Sequence, residues 1–219
     1  MTAMRRDLEE IRDVTDGLWL WRTHHPGWRP GLSWQPVVTS TCVASRGEVA
    51  LLDPLAPPDD ACTLWDRFDA RPPTYLVILK PDHVRDVDLF ARRYGVPAFG
   101  PFLFWRDDVP EIDLMPIDPG SRLPGDLLAL YDGRGRHETP LWLPDQQALV
   151  FADALTERDG VLRVWWTPWH AARVLPALQA LLDLPFETVI ISHGAPIHDR
   201  AAYKRALVLP PWAPEDPES

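Results

Sequence analysis

No apolar run in the sequence approaches the ~20 residues a membrane-spanning helix needs. Met1–Asp16 carries Arg5, Arg6, Asp7, Glu9 and Glu10 where a secretory signal would have its apolar core. Both absences lead to the expectation of a cytoplasmic protein with no membrane partner. Cysteine is scarce as well. Cys42 and Cys62, neither in a CxxC pair, are too few for a disulfide framework and read as inert small hydrophobes. Positive charge is in deficit: 22 Lys and Arg against 32 Asp and Glu leave a formal net charge of −10, so nucleic acid is not an expected partner. Internal repeats, low-complexity blocks and linker-like breaks in composition are all missing.

What is present fits one sizeable folded domain. The 219 residues are 46% hydrophobic and 25% charged, a balance that excludes disordered and collagen-like chains. The 25 prolines imply many rigid loops, and seven histidines in an acidic chain raise the question of a metal site.

Hydrophobic patterning suggests mixed strands and helices. Thr15–Trp21 reads as a strand with Leu18 and Leu20 on one face and Trp19 and Trp21 on the other. After the Gly-, Pro- and Trp-rich loop His24–Pro36, the runs Val37–Ala44 and Val49–Leu52 flank Ser45-Arg46-Gly47, a hairpin signature. Pro57-Pro58-Asp59-Asp60 opens a helix with an Asp available as its N-cap. Thr74–Leu79 has the unbroken apolarity of a strand buried on both faces, and Asp82–Tyr94 is expected to be helical. Phe102–Asp126 is irregular. Short strands follow at Leu127–Tyr131, Pro140–Leu143, Ala148–Phe151 and Thr188–Ser192, with helices at Trp169–Leu182 and Ala201–Leu207.

Chemistry in layered α/β proteins usually sits on loops at strand ends. Asp53, Asp82, His83, His137, Asp153 and His193 all lie just beyond apolar runs. Carboxylates and imidazoles are the usual ligands where a zinc site keeps a position open for water. Each also has a plain structural role: Asp after a strand often only caps a turn or helix, and a lone His often braces scaffold. His24 and His25 read as solvated surface beside a Pro-Gly turn. His170 reads as a cap or surface group, and His198 carries no assigned role. The tryptophans of Val164–Trp169 are either core filling or the wall of an apolar pocket.

From Val14 to Ala206 the order of motifs resembles the metallo-β-lactamase fold hydrolases, whose relatives include glyoxalase II-like thioesterases, lactonases and phosphodiesterases. TSTCVASRGEVALLDP (Thr39–Pro54) is similar to the opening hairpin that ends in a structural Asp, here Asp53. YLVILKPDHVRDVDLF (Tyr75–Phe90) resembles the strand and helix flanking an HxHxDH metal motif. The stretch from Arg136 to Leu155 resembles the segment joining the third-site His to a bridging Asp, and IISHGAP (Ile190–Pro196) the closing His-Gly motif.

The resemblance implies an αββα sandwich of two mixed sheets with helices outside, over 14–208, between an extension at 1–13 and a loose tail at 209–219. It assigns Asp82 and His83 to the motif's Asp and last His, His137 to the third His, Asp153 to the bridging Asp and His193 to the closing His. The motif's first two histidines are replaced by Ile78 and Lys80. Isoleucine cannot ligate a metal and an ammonium repels one. What this implies is a reduced site, in which one divalent ion is held by Asp82, His83, Asp153 and His193; zinc is the first choice, iron or manganese the others. Asp153 would orient a water while Lys80 or His137 stabilises an oxyanion, and Lys80 would partly replace the charge of the lost cation beside Asp153. The function implied is hydrolysis of an ester, thioester or lactone in a small-molecule substrate. The alternative is a non-catalytic binding or structural protein whose motif residues persist as a hydrogen-bond network with no metal. The sequence carries no signal for oligomeric state.

Overall fold

The computed structural model describes residues 6–102, 104, 109–134 and 138–214. Its first half builds a seven-stranded sheet in the order β1 (Leu8–Thr15), β2 (Leu18–His24), β3 (Val37–Ser45), β4 (Glu48–Leu52), β5 (Tyr75–Val77), β6 (Ala98–Gly100) and β7 (Leu114–Pro116). The first four strands are antiparallel and the last four run parallel, the crossovers carrying helices α1 (Cys62–Ala70) and α2 (Val87–Tyr94). The second half supplies β8 (Arg122–Leu123), β9 (Leu127–Ala129), β10 (Leu141–Leu143) and β11 (Ala148–Val150). A separate hairpin, β12 (Leu155–Arg158) and β13 (Val161–Val164), follows, then β14 (Thr188–Ile190) and β15 (Ile197–Asp199). These strands form a second sheet in the order β15-β14-β11-β10-β9-β8, covered by α3 (Leu175–Ala180) and α4 (Arg200–Ala206).

Three apolar clusters divide along the alternation of the strands. Leu18, Leu20, Val43, Leu52 and Val77 meet Leu127, Leu141, Leu143 and Val150 between the two sheets. The opposite faces of the same strands, with Trp19, Trp21, Leu51 and Leu76, pack under α1 and α2 through Leu64, Phe68, Val87 and Phe90. Leu149, Phe151 and Val189 pack under α3 and α4 with Val174, Leu178 and Tyr203. The layering is therefore the expected αββα sandwich.

Several boundaries differ from the sequence reading, each for a local reason. The domain takes in residues the reading left outside: Leu8–Thr15 pairs along β2 as an edge strand, with Glu9, Glu10 and Arg12 tolerated because edges face water. At the other end Trp212 is tied down, its N–H donating to Val164 O (2.8 Å) and its carbonyl accepting from Trp166 N (2.7 Å). Ala61, not an Asp, caps α1, with no side-chain hydrogen bond. Residues 82–86 are turn and irregular chain, and α2 begins only at Val87. The helix expected over Trp169–Leu182 opens as a wide π turn at His170–Val174, where Leu175 N reaches back five residues to His170 O. Pro176 follows directly, and it has no N–H to offer an α turn. Cys42 is buried as expected, but Cys62 is exposed at the start of α1. No helix among the described residues is long and apolar enough to cross a membrane.

Candidate metal centre

The site is assembled from loops at the ends of β3, β4, β5, β11 and β14. Asp53, just past β4, sits in the left-handed region (φ 46°), which turns its carboxylate back across the neighbouring strand. There Asp53 Oδ1 accepts from Leu79 N at 2.7 Å, and Oδ2 lies 2.7 Å from His83 Nδ1. A ring nitrogen held by a buried carboxylate fixes the tautomer and leaves Nε2 to face the cavity. Arg85, also left-handed (φ 49°), braces the same turn through Nη1, which donates to Thr39 O (2.8 Å) and Asp53 O (2.7 Å).

Asp153 stands opposite, in the loop after β11. Its Oδ2 receives Lys80 Nζ at 2.7 Å, and Lys80 Nζ also lies 2.5 Å from Asp82 Oδ2. Its Oδ1 stands 3.4 Å from His83 Nε2 and 3.2 Å from His193 Nε2, with no well-aligned hydrogen bond to either. Among the described residues, His83, Asp153 and His193 each bring one ligand atom to within 4.8 Å of the other two. A tetrahedral zinc with bonds of about 2.1 Å sets its ligand atoms about 3.4 Å apart. The two Oδ1 separations match that spacing, while their poor alignment makes them weak hydrogen bonds. The donor set, two imidazole nitrogens and one carboxylate oxygen, therefore fits a single divalent ion with a position left open.

Charge in the site is tightly balanced. Burial works to lower the Lys80 pKa, but Asp153 and Asp82 outweigh it, so the ammonium is held charged. Burial likewise opposes ionisation of Asp153, yet Lys80 and His83 bring its carboxyl well below the usual range. Burial would lower His83 too; the carboxylates of Asp153 and Asp53 prevail and raise it to about 9. His193, with burial dominant, is shifted down, and its Nδ1 is buried without a hydrogen-bond partner among the described residues.

A cavity of about 360 Å³ opens over these groups, walled by Trp34, Val38 and Trp165. The loop after β2 is drawn over it by His25 N→Pro36 O (2.8 Å), Trp28 Nε1→Trp34 O (2.7 Å) and Gln35 Nε2→Glu157 O (2.8 Å). The Trp34 ring lies 5.6 Å from the His193 ring, and His25 meets Trp34 edge-on at 5.1 Å. His25 is thus a wall of the cavity rather than solvated surface, whereas His24 stays near the surface beside Glu9 (2.6 Å). Burial, and then the charge of Arg85, push His25 down to about 3. Its ring resonances are expected to stay flat in NMR between about pH 5 and 8; an inflection near 6.5 would return the ring to solvent.

No family model matches the sequence, and no curated protein matches it. Solved structures do. DIM-1 metallo-β-lactamase superposes with a TM-score of 0.67 over 93% of this chain and 96% of its own, at 18% identity. The chain has the metallo-β-lactamase fold. FIM-1 from Pseudomonas aeruginosa, in its mono-zinc form, gives 0.64 at 15% identity, covering 92% of this chain and 93% of its own. A metallo-β-lactamase from Pontibacter korlensis gives 0.62 at 19%, covering 92% and 97%.

Within this metallo-β-lactamase fold the expected site residues sort unevenly. His83, Asp153 and His193 converge, while Asp82 turns to Lys80 with a side chain 39% exposed and stands outside the converging three. Ile78 is fully buried in the outer apolar cluster beneath α2. His137 lies outside the described residues. Trp165 lines the cavity as one of the two readings of that run allowed, and Trp166 and Trp169 are exposed. His198 Nε2 meets Ala195 O at 2.8 Å. Arg85 carried no legible signal, since it looks like any surface arginine after a strand.

Proposed function

We propose that this chain is a metallo-β-lactamase-fold hydrolase with a mononuclear site, cleaving an ester, thioester or lactone of a small molecule. The observation that carries the reading is Asp153 Oδ1, buried between two imidazole Nε2 atoms at zinc-ligand spacing without a good hydrogen bond to either. His83, Asp153 and His193 would hold the ion, zinc before iron or manganese. Bound there, it supplies Lewis acidity, polarising the acyl carbonyl and making water acidic near neutral pH.

The chain's own groups do the rest. Asp53 keeps His83 in the tautomer whose Nε2 faces inward. Lys80 has three ammonium hydrogens, of which Asp82 and Asp153 take two; among the described residues none takes the third, which would serve a developing oxyanion. Trp34 and Trp165 wall the cavity, which has room for a compact acyl group. That one solved neighbour is in a mono-zinc form supports a single ion being compatible with the fold. Lys80 also favours the second reading, a metal-free binding protein, because its ammonium alone can neutralise Asp153.

Metal content and turnover decide between them. Dialysed protein is expected to retain about one equivalent of zinc and to lose it in Asp153→Ala, together with hydrolysis across an ester, thioester and lactone panel. No retained metal and no turnover with zinc, manganese or iron would leave the binding-protein reading.

A further inference from the structure

We propose that Glu138 is a positioning residue that sets the Asp153 carboxylate through the main chain. Its bearing on hydrolysis rests on the metal-site reading above. β11 ends at Val150, and past Phe151 the chain leaves the sheet, so the next N–H groups lose their ladder partners. Three consecutive amides, two of them on fully buried residues, need acceptors there. One side chain supplies them all: Glu138 Oε1 accepts from Ala152 N at 2.9 Å, and Oε2 accepts from Asp153 N at 2.7 Å and Ala154 N at 2.8 Å. Glu138 is 1% exposed, and Ala152 and Ala154 are fully buried.

The clamp is itself held. Arg134 Nη2 donates to the same Oε2, while Arg134 Nε donates to the fully buried Asp132 Oδ2 at 2.6 Å and Arg134 N to Asp132 Oδ1 at 2.8 Å. Arg134 Nη1 reaches Asp153 O at 3.3 Å. Asp153 is therefore gripped from both sides of its backbone, its N–H by Glu138 and its carbonyl by Arg134.

Satisfying three amides does not require this arrangement. Burying a carboxylate here has a cost: burial pushes the Glu138 carboxyl up to about 7 even with the Arg134 guanidinium on the same Oε2. What a carboxylate held by Arg134 provides is two acceptor oxygens that converge three amides on one side chain. With its N–H and carbonyl fixed, Asp153 has only two side-chain torsions left. Those direct one oxygen to Lys80 at 2.7 Å and the other to the two imidazoles at 3.4 and 3.2 Å. Glu138 does not line the cavity; its direct contacts toward the site are the backbone bonds at Ala152, Asp153 and Ala154.

Glu138→Gln tests this. A carboxamide keeps the shape but turns an N–H toward an amide N–H, so at least one anchor is lost. In the wild type, amide hydrogen exchange at Ala152, Asp153 and Ala154 is expected to be as slow as at Leu149 and Val150. In Glu138→Gln those three amides exchange about tenfold faster or more, while the β11 amides hold. Cobalt(II) affinity falls about 10–100-fold, with a shifted d–d band, as for other groups that orient metal ligands. Glu138→Asp retains the charge beside Arg134 but is one methylene short; it serves if the Gln variant fails to fold and is expected to give the same exchange pattern. Fast exchange at the three amides in the wild type overturns the proposal, as does unchanged exchange and cobalt spectrum in the folded variant. If the wild type takes up no cobalt the metal-site reading falls, and the exchange measurement still decides the positioning role.

Discussion

Lys80→Met destabilises the protein by about 3 kcal/mol in chelator, read from the urea midpoint. The expectation follows from what the ammonium leaves behind. Asp153 is ionised and only 13% exposed, and its Oδ2 has Lys80 Nζ at 2.7 Å as its cationic partner. Breaking a buried pair from one side leaves the other charge short of a partner, and with only the His83 imidazolium remaining at 3.4 Å the penalty exceeds the loss of a surface pair. The Lys80–Asp82 half counts for little, because Asp82 is open to water. Methionine preserves the length and apolar stem of lysine, so packing changes least. Zinc provides the internal control. If Lys80 stands in for a cation, zinc at 100 times its dissociation constant returns about 2.7 kcal/mol to the variant. Wild type gains less, because there the ion must approach an ammonium. A change under about 0.5 kcal/mol in chelator would make Lys80 an ordinary surface cation.

In the metal-free protein, stability falls by about 3 kcal/mol as pH is raised from about 6.5 past 9. The sign comes from His83, whose pKa rises from 6.5 in the unfolded chain to about 9 in the fold. The fold therefore favours the protonated ring, and the stability this gives is fully present below 6.5 and lost as pH climbs through about 9. Asp153 and Asp53 face the ring and favour its charge; Arg85 opposes it. Lys80 keeps its proton throughout this window, so it does not contribute the decline. His193 acts at the other end. Its pKa is lowered, so the fold prefers it neutral and stability is lost as pH falls below 6.5. Urea unfolding across this range should show both limbs. Zinc should remove the alkaline one, since an ion at Nε2 takes the place of the proton. A flat metal-free profile would mean that His83 is neutral in the fold and the Asp153–His83 contact is not ionic.

Much of this architecture is written in short-range patterns. The alternation of Leu18 and Leu20 with Trp19 and Trp21 separates the two faces of β2 correctly, because a strand's side-chain period is two residues. Arg46 and Gly47 both adopt positive φ at the β3–β4 turn, as Ser45-Arg46-Gly47 between apolar runs suggests. The hairpin β12–β13 was not legible: Leu155–Arg158 mixes buried and half-buried residues around a short turn and has no clean period. Likewise the charges of Leu8–Thr15 hide a strand that exists only because β2 offers it an open edge.

At the site, sequence alone determined which candidate residues stand where along the chain: Asp53, Asp82, His83, His137, Asp153 and His193 just past apolar runs, with Lys80 singled out by the motif resemblance. Tertiary structure alone decided which of them meet. It brought Asp153 between His83 and His193, turned Asp82 outward to Lys80, folded His25 and Trp34 over the cavity, and set Glu138 behind Asp153. These outcomes depend on loops that leave two different sheets and on side-chain torsions near a shared carboxylate. Such long-range distances have no periodic signature. A residue's type says what it can bind, and only the packing of the two sheets says what it is close enough to bind.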